Sequence, residues 1–248
     1  MSDLSDQTTI VVGASRGLGH GIASAFAGTG APVIAVSRTA AAFAGPADRA
    51  STISSGVADA GDATVPARLF DHYRPQVVIL VAGASPHMRP LQQQTWETFS
   101  VNWQTDVRIA FHWLREALLT PLGPGSRVIV VSSGAALNGS PLSGGYAGAK
   151  ATQRFITGYA QDEATRAGLA ITFTAVLPQF APLTGVGRPA VQAYAARAGL
   201  SVEDFLAQQG PLVTPEIAGA ALVELVQADA ATLAPGYRLT GTGLQDLP

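Results

Sequence analysis

The stretch Thr8-Thr-Ile-Val-Val-Gly13-Ala-Ser-Arg-Gly17-Leu-Gly19 decides the fold. Residues 8–12 form a short β-branched run that is typical of a strand, and residues 18–28 have the apolar spacing of a helix. Glycines at such a turn let the backbone bend sharply and let a pyrophosphate come close, while the helix offers free N–H groups and its positive dipole end. The turn is therefore predicted to bind phosphate through Gly13, Ser15, Arg16, Gly17, Leu18 and Gly19.

The rest of the chain alternates between short apolar runs and longer helical patterns, which gives this turn its context. Strands are predicted at 8–12, 32–36, 76–81, 127–131 and 169–176, with a weaker candidate at 51–58. Helices are predicted at 18–28, 65–73, 96–119, 146–167 and 215–228. Strands that are apolar throughout are typical of parallel sheets covered on both faces. The sequence therefore predicts an α/β fold, a Rossmann-type doubly wound parallel sheet with helices on both faces.

Two segments interrupt the alternation. Residues 39–49 are rich in Ala and Gly and include Pro46, so any helix there is predicted to be short. Residues 180–211 form a long insertion with many apolar side chains, and a long loop inside a compact domain usually has a function. A length of 248 residues fits one domain, so residues 1–248 are predicted to form a single dinucleotide-binding domain that carries this insertion.

The composition excludes several classes of function. Hydrophobic residues make up 47% and charged residues 13% of the chain, which excludes disorder. The net charge of −2 and the lack of a basic tract argue against nucleic acid as a partner. The chain has no cysteine, so thiolate nucleophiles and iron–sulfur clusters are excluded, and no metal-ligand spacing occurs. The polar start and the lack of a long apolar run predict a cytoplasmic protein that does not enter membranes.

The end of the second strand bears on the choice of cofactor. NAD enzymes of this architecture place an acidic residue there to bond the ribose 2′-hydroxyl, but no Asp or Glu occurs between Asp6 and Asp48. Ser37 and Arg38 stand there instead, and Arg16 can approach from the glycine turn. Because the planar fork of arginine donates two bonds to phosphate, the sequence predicts NADP(H) rather than NAD(H). The alternative is that both arginines are ordinary solvated surface residues.

A second group of residues points to acid–base chemistry. Ser133 follows the fifth predicted strand, and Tyr146 and Lys150 are four residues apart, on one face of a helix. A tyrosine has a pKa near 10, and a nearby ammonium lowers that pKa by favouring the phenolate. The pattern Y-x-x-x-K alone is common on surface helices. It gains meaning from the serine at the carboxyl end of a strand and from the glycine turn upstream.

In combination these motifs resemble the short-chain dehydrogenase/reductase family in its compact form of about 250 residues. The resemblance runs from Thr8 to a terminal strand near residues 237–240 and includes Asp59, Ala82-Gly83 and Asn102. It implies that Tyr146 is the acid or base, that Lys150 binds the nicotinamide ribose, and that Ser133 positions the carbonyl. It also implies that Asn102 anchors a water relay and that Asp59 and Ala60 cradle the adenine. The remaining cofactor contacts that it implies are Ala82, Gly83, Tyr146, Lys150 and Pro178. It further implies that residues 180–211 are a lid that covers the substrate, and the apolar side chains of this lid fit a bulky or hydrophobic ketone.

Three positions depart from the pattern of that family. Val81 stands where the family usually has asparagine, Gln179 where it has glycine after Pro178, and Thr184 comes one residue later than the threonine expected beside the carboxamide. These changes therefore bear most directly on the predicted position of the nicotinamide.

Together the residues predict an NADP(H)-dependent oxidoreductase that moves a hydride between the nicotinamide and a carbonyl or alcohol, as a ketone reductase for apolar substrates. One alternative is a non-catalytic NADP-binding sensor or scaffold on the same fold. Another is a lyase or dehalogenase, which would be expected to lose the glycine turn. The long helices at 96–119 and 146–167 carry apolar side chains such as Trp103, Phe111 and Phe155, and family members pair these helices, so a homodimer or homotetramer is expected.

Overall fold

The structure is a computed structural model that describes residues 3–43 and 52–247, and in this part of the chain eight strands form one sheet. The strands are β1 (Thr9–Val12), β2 (Val33–Ser37), β3 (Ile53–Val57), β4 (Val77–Leu80), β5 (Arg127–Val131), β6 (Thr172–Pro178), β7 (Gly236–Thr240) and β8 (Gly243–Asp246). Their order in the sheet is β3-β2-β1-β4-β5-β6-β7-β8. The first seven are parallel and β8 is antiparallel.

Helices cover both faces of this sheet. They are α1 (Gly17–Gly28), α2 (Thr64–Tyr73), α3 (Trp96–Asn102), α4 (Arg108–Leu119), α5 (Ala135–Asn138), α6 (Tyr146–Arg166), α7 (Gly187–Ala198), α8 (Val202–Ala207) and α9 (Pro215–Gln227). A π-helical turn, Trp103–Val107, joins α3 to α4. Short 3₁₀ turns lie at Leu91–Gln93 and Ala230–Thr232.

Two hydrophobic cores lie on opposite faces of the sheet because successive strand residues point to opposite sides. On one face, α1 and α9 bury Phe26 and Leu222 against the strands. On the other face, Trp113 of α4 and Phe173 of β6 lie in a core to which α2 and α6 also contribute. Trp113 is fully buried, and its indole N–H donates to the carbonyl of Ala60 at 3.1 Å. The doubly wound α/β fold predicted from the sequence is thus confirmed.

Several elements differ from the predicted boundaries. The helix expected at 96–119 is interrupted by the π turn. The strand expected at 169–176 begins later, at Thr172, because Gly168 adopts a left-handed conformation and the Leu169 amide still bonds to the carbonyl of Ala164 in α6. Residues 39–43 are not helical, whereas the rest of the 39–49 segment, and Ser51 of the weak strand, lie outside the described residues.

The lid segment, defined here as residues 180–211, contains two helices rather than loop alone. These helices, α7 and α8, are rich in alanine or short, so they give little apolar periodicity. Strand β8 was also missed, because it is a short, half-exposed edge strand that follows a tight turn at Gly243, where φ is +113°.

Candidate active site

The turn after β1 is built so closely that side chains would not fit in it. Gly13 has φ +94°, and a Cβ there would lie 2.6 Å from the backbone nitrogen of Ala82. A Cβ on Gly19 would overlap the carbonyl of Gly13. Helix α1 begins at Gly17, and its N-cap, Arg16, makes no side-chain capping bond. The amides of the first turn, including that of Leu18, have no partner within the helix, so the turn forms a positive cradle that fits a pyrophosphate.

The predicted arginines meet beside this cradle. Ser15, Arg16 and Arg38 line a polar cavity of about 470 Å³ together with residues 39–42, and no acidic side chain is among these lining residues. Ser37 does not line this cavity, because its hydroxyl donates to the carbonyl of Thr39 at 2.6 Å. The described residues of this site therefore offer two guanidinium groups and the Ser15 hydroxyl to an anion, and Ser37 acts on the shape of the loop.

A histidine that the sequence did not single out for this site supports the wall of the cavity. The ring of His20, on α1, stacks on Phe43 with the ring centres 4.5 Å apart. Its Nε2 lies 3.2 Å from the carbonyl oxygen of Ala42. The segment after Arg38 is therefore attached to the same helix that begins at the glycine turn.

The residues after β3 form a turn at the edge of the same end of the sheet. Asp59 is exposed, and its Oδ1 accepts a bond from the Gly61 amide at 2.9 Å. Ala60 is buried, and its carbonyl accepts the indole bond of Trp113. Trp113 thus fixes the backbone that would meet the adenine if the resemblance carries over.

Tyr146 and Lys150 lie next to each other at the start of α6, which is bonded to the end of β5 just before Ser133. Tyr146 is the first residue of α6, and the Nζ atom of Lys150, one turn later, lies 5.6 Å from the centre of its ring. Ser132 donates its hydroxyl to the carbonyl of Lys150 at 2.7 Å and so attaches α6 to the end of β5. The next residue, Ser133, accepts a bond from the Ala135 amide at 3.2 Å through its Oγ.

Lys150 also belongs to a buried polar network that the sequence analysis missed. Its Nζ lies 3.1 Å from Oδ2 of Asp106 and donates to Oε1 of Gln153 at 2.9 Å. The other oxygen of Asp106 accepts bonds from the Ala84 amide at 2.8 Å and from Nδ2 of Asn102 at 3.2 Å. Gln153 completes the network by donating to the carbonyl of Asp106 at 2.9 Å.

The charges in this network keep Lys150 protonated. Burial alone would lower the pKa of the Lys150 ammonium, but the charge of Asp106 and the neighbouring Tyr146 outweigh it and hold that pKa above its usual value of 10.5. Asn102, which was predicted to anchor a water relay, donates to the Ala84 carbonyl at 2.8 Å as well as to Asp106. Its Oδ1 is buried and has no hydrogen-bond partner in the described part of the chain.

The lid segment lies against the glycine turn at Thr184 and Gly185. A Cβ on Gly17 would lie 3.5 Å from Cβ of Thr184, and one on Gly185 would lie 3.5 Å from the guanidinium carbon of Arg16. Thr184 is held within the lid, because its Oγ1 donates to the Ala181 carbonyl at 2.8 Å and accepts from the Gly187 amide at 2.9 Å. This threonine therefore shapes the turn that leads into α7.

The middle of the lid segment is bonded to the chain between β5 and α6. The hydroxyl of Tyr194 is 2.7 Å from Oγ of Ser140 and accepts from the Leu142 amide at 3.2 Å. Between α7, α8 and the start of α9 lies a cavity of about 290 Å³. Its lining is mostly apolar and includes Leu183, Val191, Val202, Leu206 and Leu212.

Two other kinds of site are not found in residues 3–43 and 52–247. No group of three or more His, Asp or Glu side chains is arranged to hold a metal ion there. Among these same residues, no helix combines the length and the apolar character needed to cross a bilayer.

Comparison with known proteins decides the family. The family model described as short chain dehydrogenase matches residues 7–194, about three quarters of the chain. The chain belongs to the short-chain dehydrogenase family. This confirms the resemblance drawn from the motifs, and it makes the protein a member of a family of oxidoreductases that use nicotinamide cofactors and act on small molecules.

A solved structure supports the fold independently. The chain is similar to a short chain dehydrogenase from Mycobacterium avium, with a TM-score of 0.75 and 20% sequence identity over 100% of this chain and 86% of that one. No curated protein sequence gives a significant match. At this level of identity the likeness extends to the fold and not to a substrate.

Within the short-chain dehydrogenase framework, the departure at residue 179 leaves the backbone regular. The Gln179 amide donates to the Leu239 carbonyl at 2.8 Å, and the Gly134 amide donates to that of Pro178 at 2.8 Å. Arg74 is the one non-glycine residue with positive φ in the described chain, so Gln179 adopts no glycine-like conformation. Its side chain lies near Gly134, directly after Ser133.

Val81, which stands where the family usually has asparagine, packs against the hydrophobic core beneath α1. Its amide donates to the Val12 carbonyl at 2.9 Å. The Ala82 amide donates to the same carbonyl at 2.9 Å, so the junction between β1 and β4 stays closed without an asparagine. Gly83 lies against the carboxylate of Asp106, in a space that a Cβ would fill.

Proposed function

We propose that the protein is an NADP(H)-dependent reductase of ketones and related carbonyl compounds with apolar substituents. The observation that carries the proposal is the placement of Tyr146 and Lys150 on the first turn of α6, against the end of β5 that also bears Ser133. Helix and strand end meet on the edge of the sheet that holds the glycine turn, which is where open α/β sheets bind their ligands.

The residues of this edge fit a dinucleotide. Gly13, Gly17 and Gly19 would let the pyrophosphate approach the backbone, and the first-turn amides of α1 would bond it. Arg16 and Arg38 would meet the 2′-phosphate in the polar cavity that they share. Asp59 and Ala60 would lie at the adenine, and Ala82, Pro178 and Lys150 towards the nicotinamide end. When bound, the nicotinamide supplies the hydride that reduces the substrate carbon.

The protein's own part in the reaction is to place and move a proton. Ser133 would donate its hydroxyl hydrogen to the substrate oxygen, since its Oγ already accepts a bond from the Ala135 amide. Tyr146 would then give its phenolic proton to that oxygen, and the Lys150 ammonium, held 5.6 Å from the ring centre, would stabilise the phenolate left behind. General acid help of this kind contributes about 10²–10⁴-fold in rate. In the oxidative direction Tyr146 would act as the base.

The preference for NADP(H) rests on Arg38 and Arg16, and a substitution tests it. A bond between a charged donor and phosphate contributes about 1.5–3 kcal/mol. Arg38→Ala is therefore expected to weaken NADPH binding about 10–100-fold and to leave NADH binding nearly unchanged, measured by nicotinamide fluorescence. Arg166→Ala, at the far exposed end of α6, serves as the matched control. Wild-type protein that binds NADH more tightly than NADPH would exclude the proposed preference.

The class of substrate is proposed from the lid segment. The cavity of about 290 Å³ is lined chiefly by apolar side chains, and Phe180 and Phe205 pack edge to face inside the lid with ring centres 5.7 Å apart. This cavity lies inside the lid segment and its lining contains neither Ser133 nor Tyr146, so the proposed preference for bulky hydrophobic ketones rests on the apolar composition of the lid segment as a whole. That 180–211 is a substrate lid within a single domain of 1–248 stays part of this proposal.

A non-catalytic NADP-binding sensor is the second candidate. The observation that favours it is Gln179, whose side chain reaches towards Gly134 beside Ser133 and so occupies space near the reacting centre. A sensor would bind NADPH and turn over no ketone, whereas a reductase would do both. A lyase or dehalogenase is disfavoured by the intact glycine turn at Gly13 and Gly19.

The proposed assembly is a homodimer or homotetramer. Large apolar side chains remain exposed on the helices that family members pair: Trp96, Trp103, Phe111, Phe155 and Tyr159, each between 44% and 71% exposed. Contact between two copies would bury them, which is the usual role of such exposed patches. A monomer mass in light scattering at micromolar concentration would exclude this assembly. The cytoplasmic location remains a prediction from the sequence.

A further inference from the structure

The carboxylate of Asp106 is a buried charge for which the proposed reaction, as written above, has no role. The side chains of Lys150 and Asp106 are 6% and 1% exposed, so their ion pair lies out of contact with solvent. Burying a charge is costly unless it is paired and hydrogen-bonded. Among the described residues, the polar partners of Asp106 all come from the active-site region: Ala84, Asn102, Lys150 and Gln153.

The local backbone explains how an acidic side chain reaches this place. Asn102 and Asp106 are four residues apart and share one face of the chain, and the π turn Trp103–Val107 lies between the two helices there. The Asp106 carbonyl bonds to the side chain of Gln153 on α6, and Gln153 also binds the Lys150 ammonium. Gln153 therefore fixes both the backbone of Asp106 and the ammonium group of Lys150.

Asp106 is the dominant negative neighbour of the Lys150 ammonium. Among the described residues, the other charged or titratable side chains on α6 and on the elements packed against it are Glu97, Arg108, His112, Arg115, Glu116, Arg127, Arg154, Tyr159, Asp162, Glu163 and Arg166. None of the acidic ones forms an ion pair with Lys150. Arg127 is turned away, towards Thr172 and the Ala228 carbonyl. The charge that reaches Tyr146 from this side is thus that of an ammonium already neutralised by a carboxylate.

We propose that Asp106 is a positioning residue that offsets the charge of Lys150 at Tyr146 and so favours the site as a proton donor for reduction. The inference rests on the proposed function. A lone ammonium next to a phenol favours the phenolate, whereas a paired ammonium exerts a weaker field on it. Reduction needs the protonated phenol and oxidation needs the phenolate, so the pair favours reduction at neutral pH.

The first test uses Asp106→Asn and the pH dependence of the reaction. In this variant the pH at which alcohol oxidation reaches half of its maximal rate is expected to fall by about one unit. The pH above which the rate of ketone reduction declines is expected to fall by the same amount. Asp162→Asn makes the same chemical change on the exposed outer part of α6 and is expected to leave both profiles in place. A role in stability alone would lower the melting temperature of Asp106→Asn and leave the pH profiles unmoved, which would overturn the proposal.

The second test needs no substrate and so separates this proposal from the proposed function. The near-ultraviolet absorbance of phenolate is titrated in wild type, Asp106→Asn, Tyr146→Phe and the double variant, and the differences isolate Tyr146. We expect its phenolate to form about one pH unit lower in Asp106→Asn than in wild type. If this shift is present while wild type reduces no ketone, the role of Asp106 stands and the proposed function fails.

A direct probe of the base completes the test. Lys150 is the only lysine in the chain, so selective isotope labelling of lysine gives one side-chain resonance that reports its charge. If Asp106→Asn instead makes Lys150 lose its proton at a lower pH, the lysine resonance will titrate while the pH at which the Tyr146 phenolate forms stays unchanged. That result would overturn the proposal. If Asp106→Asn does not fold, Asp106→Ser removes the same charge with a smaller side chain and goes through the same titrations.

Discussion

Replacing Lys150 by methionine tests the energetics of the buried ion pair. The substitution keeps the length of the side chain but removes the ammonium that lies 3.1 Å from Asp106. Breaking a buried pair and leaving one charge behind costs about 3–5 kcal/mol. In a domain of this size 1 kcal/mol corresponds to about 2–4 °C in melting temperature, so we expect Lys150→Met to melt about 6–20 °C below wild type.

The double variant Asp106→Asn/Lys150→Met supplies the comparison that isolates the pair. It leaves no charge in the network, and neutral replacements of buried ion pairs are often close to neutral in stability. We therefore expect it to recover most of the melting temperature lost in Lys150→Met, in circular dichroism or scanning calorimetry. Equal stability of Lys150→Met and wild type, or a double variant that is no more stable than Lys150→Met, would refute the reasoning.

The pH dependence of this stabilisation follows from the direction of the shift at Lys150. The folded protein holds the pKa of Lys150 above its ordinary value of 10.5, so protonation is linked to folding. The stabilisation is fully present below about pH 10.5 and is lost as the pH rises through the higher folded value. The difference in unfolding free energy between wild type and Lys150→Met is expected to be constant from neutral pH to that point and to shrink above it.

Two further substitutions test the glycine turn and the family departure. Gly13→Ala is expected to lower the free energy of unfolding in urea by at least about 1–3 kcal/mol and to weaken NADPH binding. The reason is that φ is +94° at this residue and the new Cβ would lie 2.6 Å from the Ala82 nitrogen. An alanine variant with wild-type NADPH affinity would contradict the proposed cradle. Gln179→Gly is expected to change NADPH affinity by no more than about twofold in calorimetry, because the backbone at 179 is already regular and needs no glycine. A large gain in affinity would instead show that Gln179 obstructs the site.

The features that could be predicted from the sequence are those encoded locally. The glycine turn was recognised because its residues are consecutive, and Tyr146 and Lys150 because four residues make one turn of a helix. The apolar strands predicted the parallel sheet for the same reason. These signals depend on neighbours in the chain and survive without knowledge of tertiary contacts.

The features that were missed depend on contacts between distant segments. Asp106 and Lys150 are far apart in the sequence, and neither position shows that the two side chains meet. A usable signal existed, since Asn102 and Asp106 form an i, i+4 polar pair within the helix predicted at 96–119. The contact of Ser37 with the cofactor stays a prediction. In the structure its hydroxyl donates to the Thr39 carbonyl of its own loop, which is a common local bond for a serine beside a turn.

The central claim, a reductase with Tyr146 as its acid, is tested most directly by NADPH consumption. Nicotinamide absorbance is followed with a panel of aliphatic and aromatic ketones for wild type and Tyr146→Phe. We expect wild type to consume NADPH with at least one apolar ketone. We expect Tyr146→Phe to bind NADPH normally while its turnover falls by about 10²-fold or more. A phenylalanine variant that keeps its turnover would contradict the role of Tyr146, and a wild type that binds NADPH but reduces no ketone would favour the sensor.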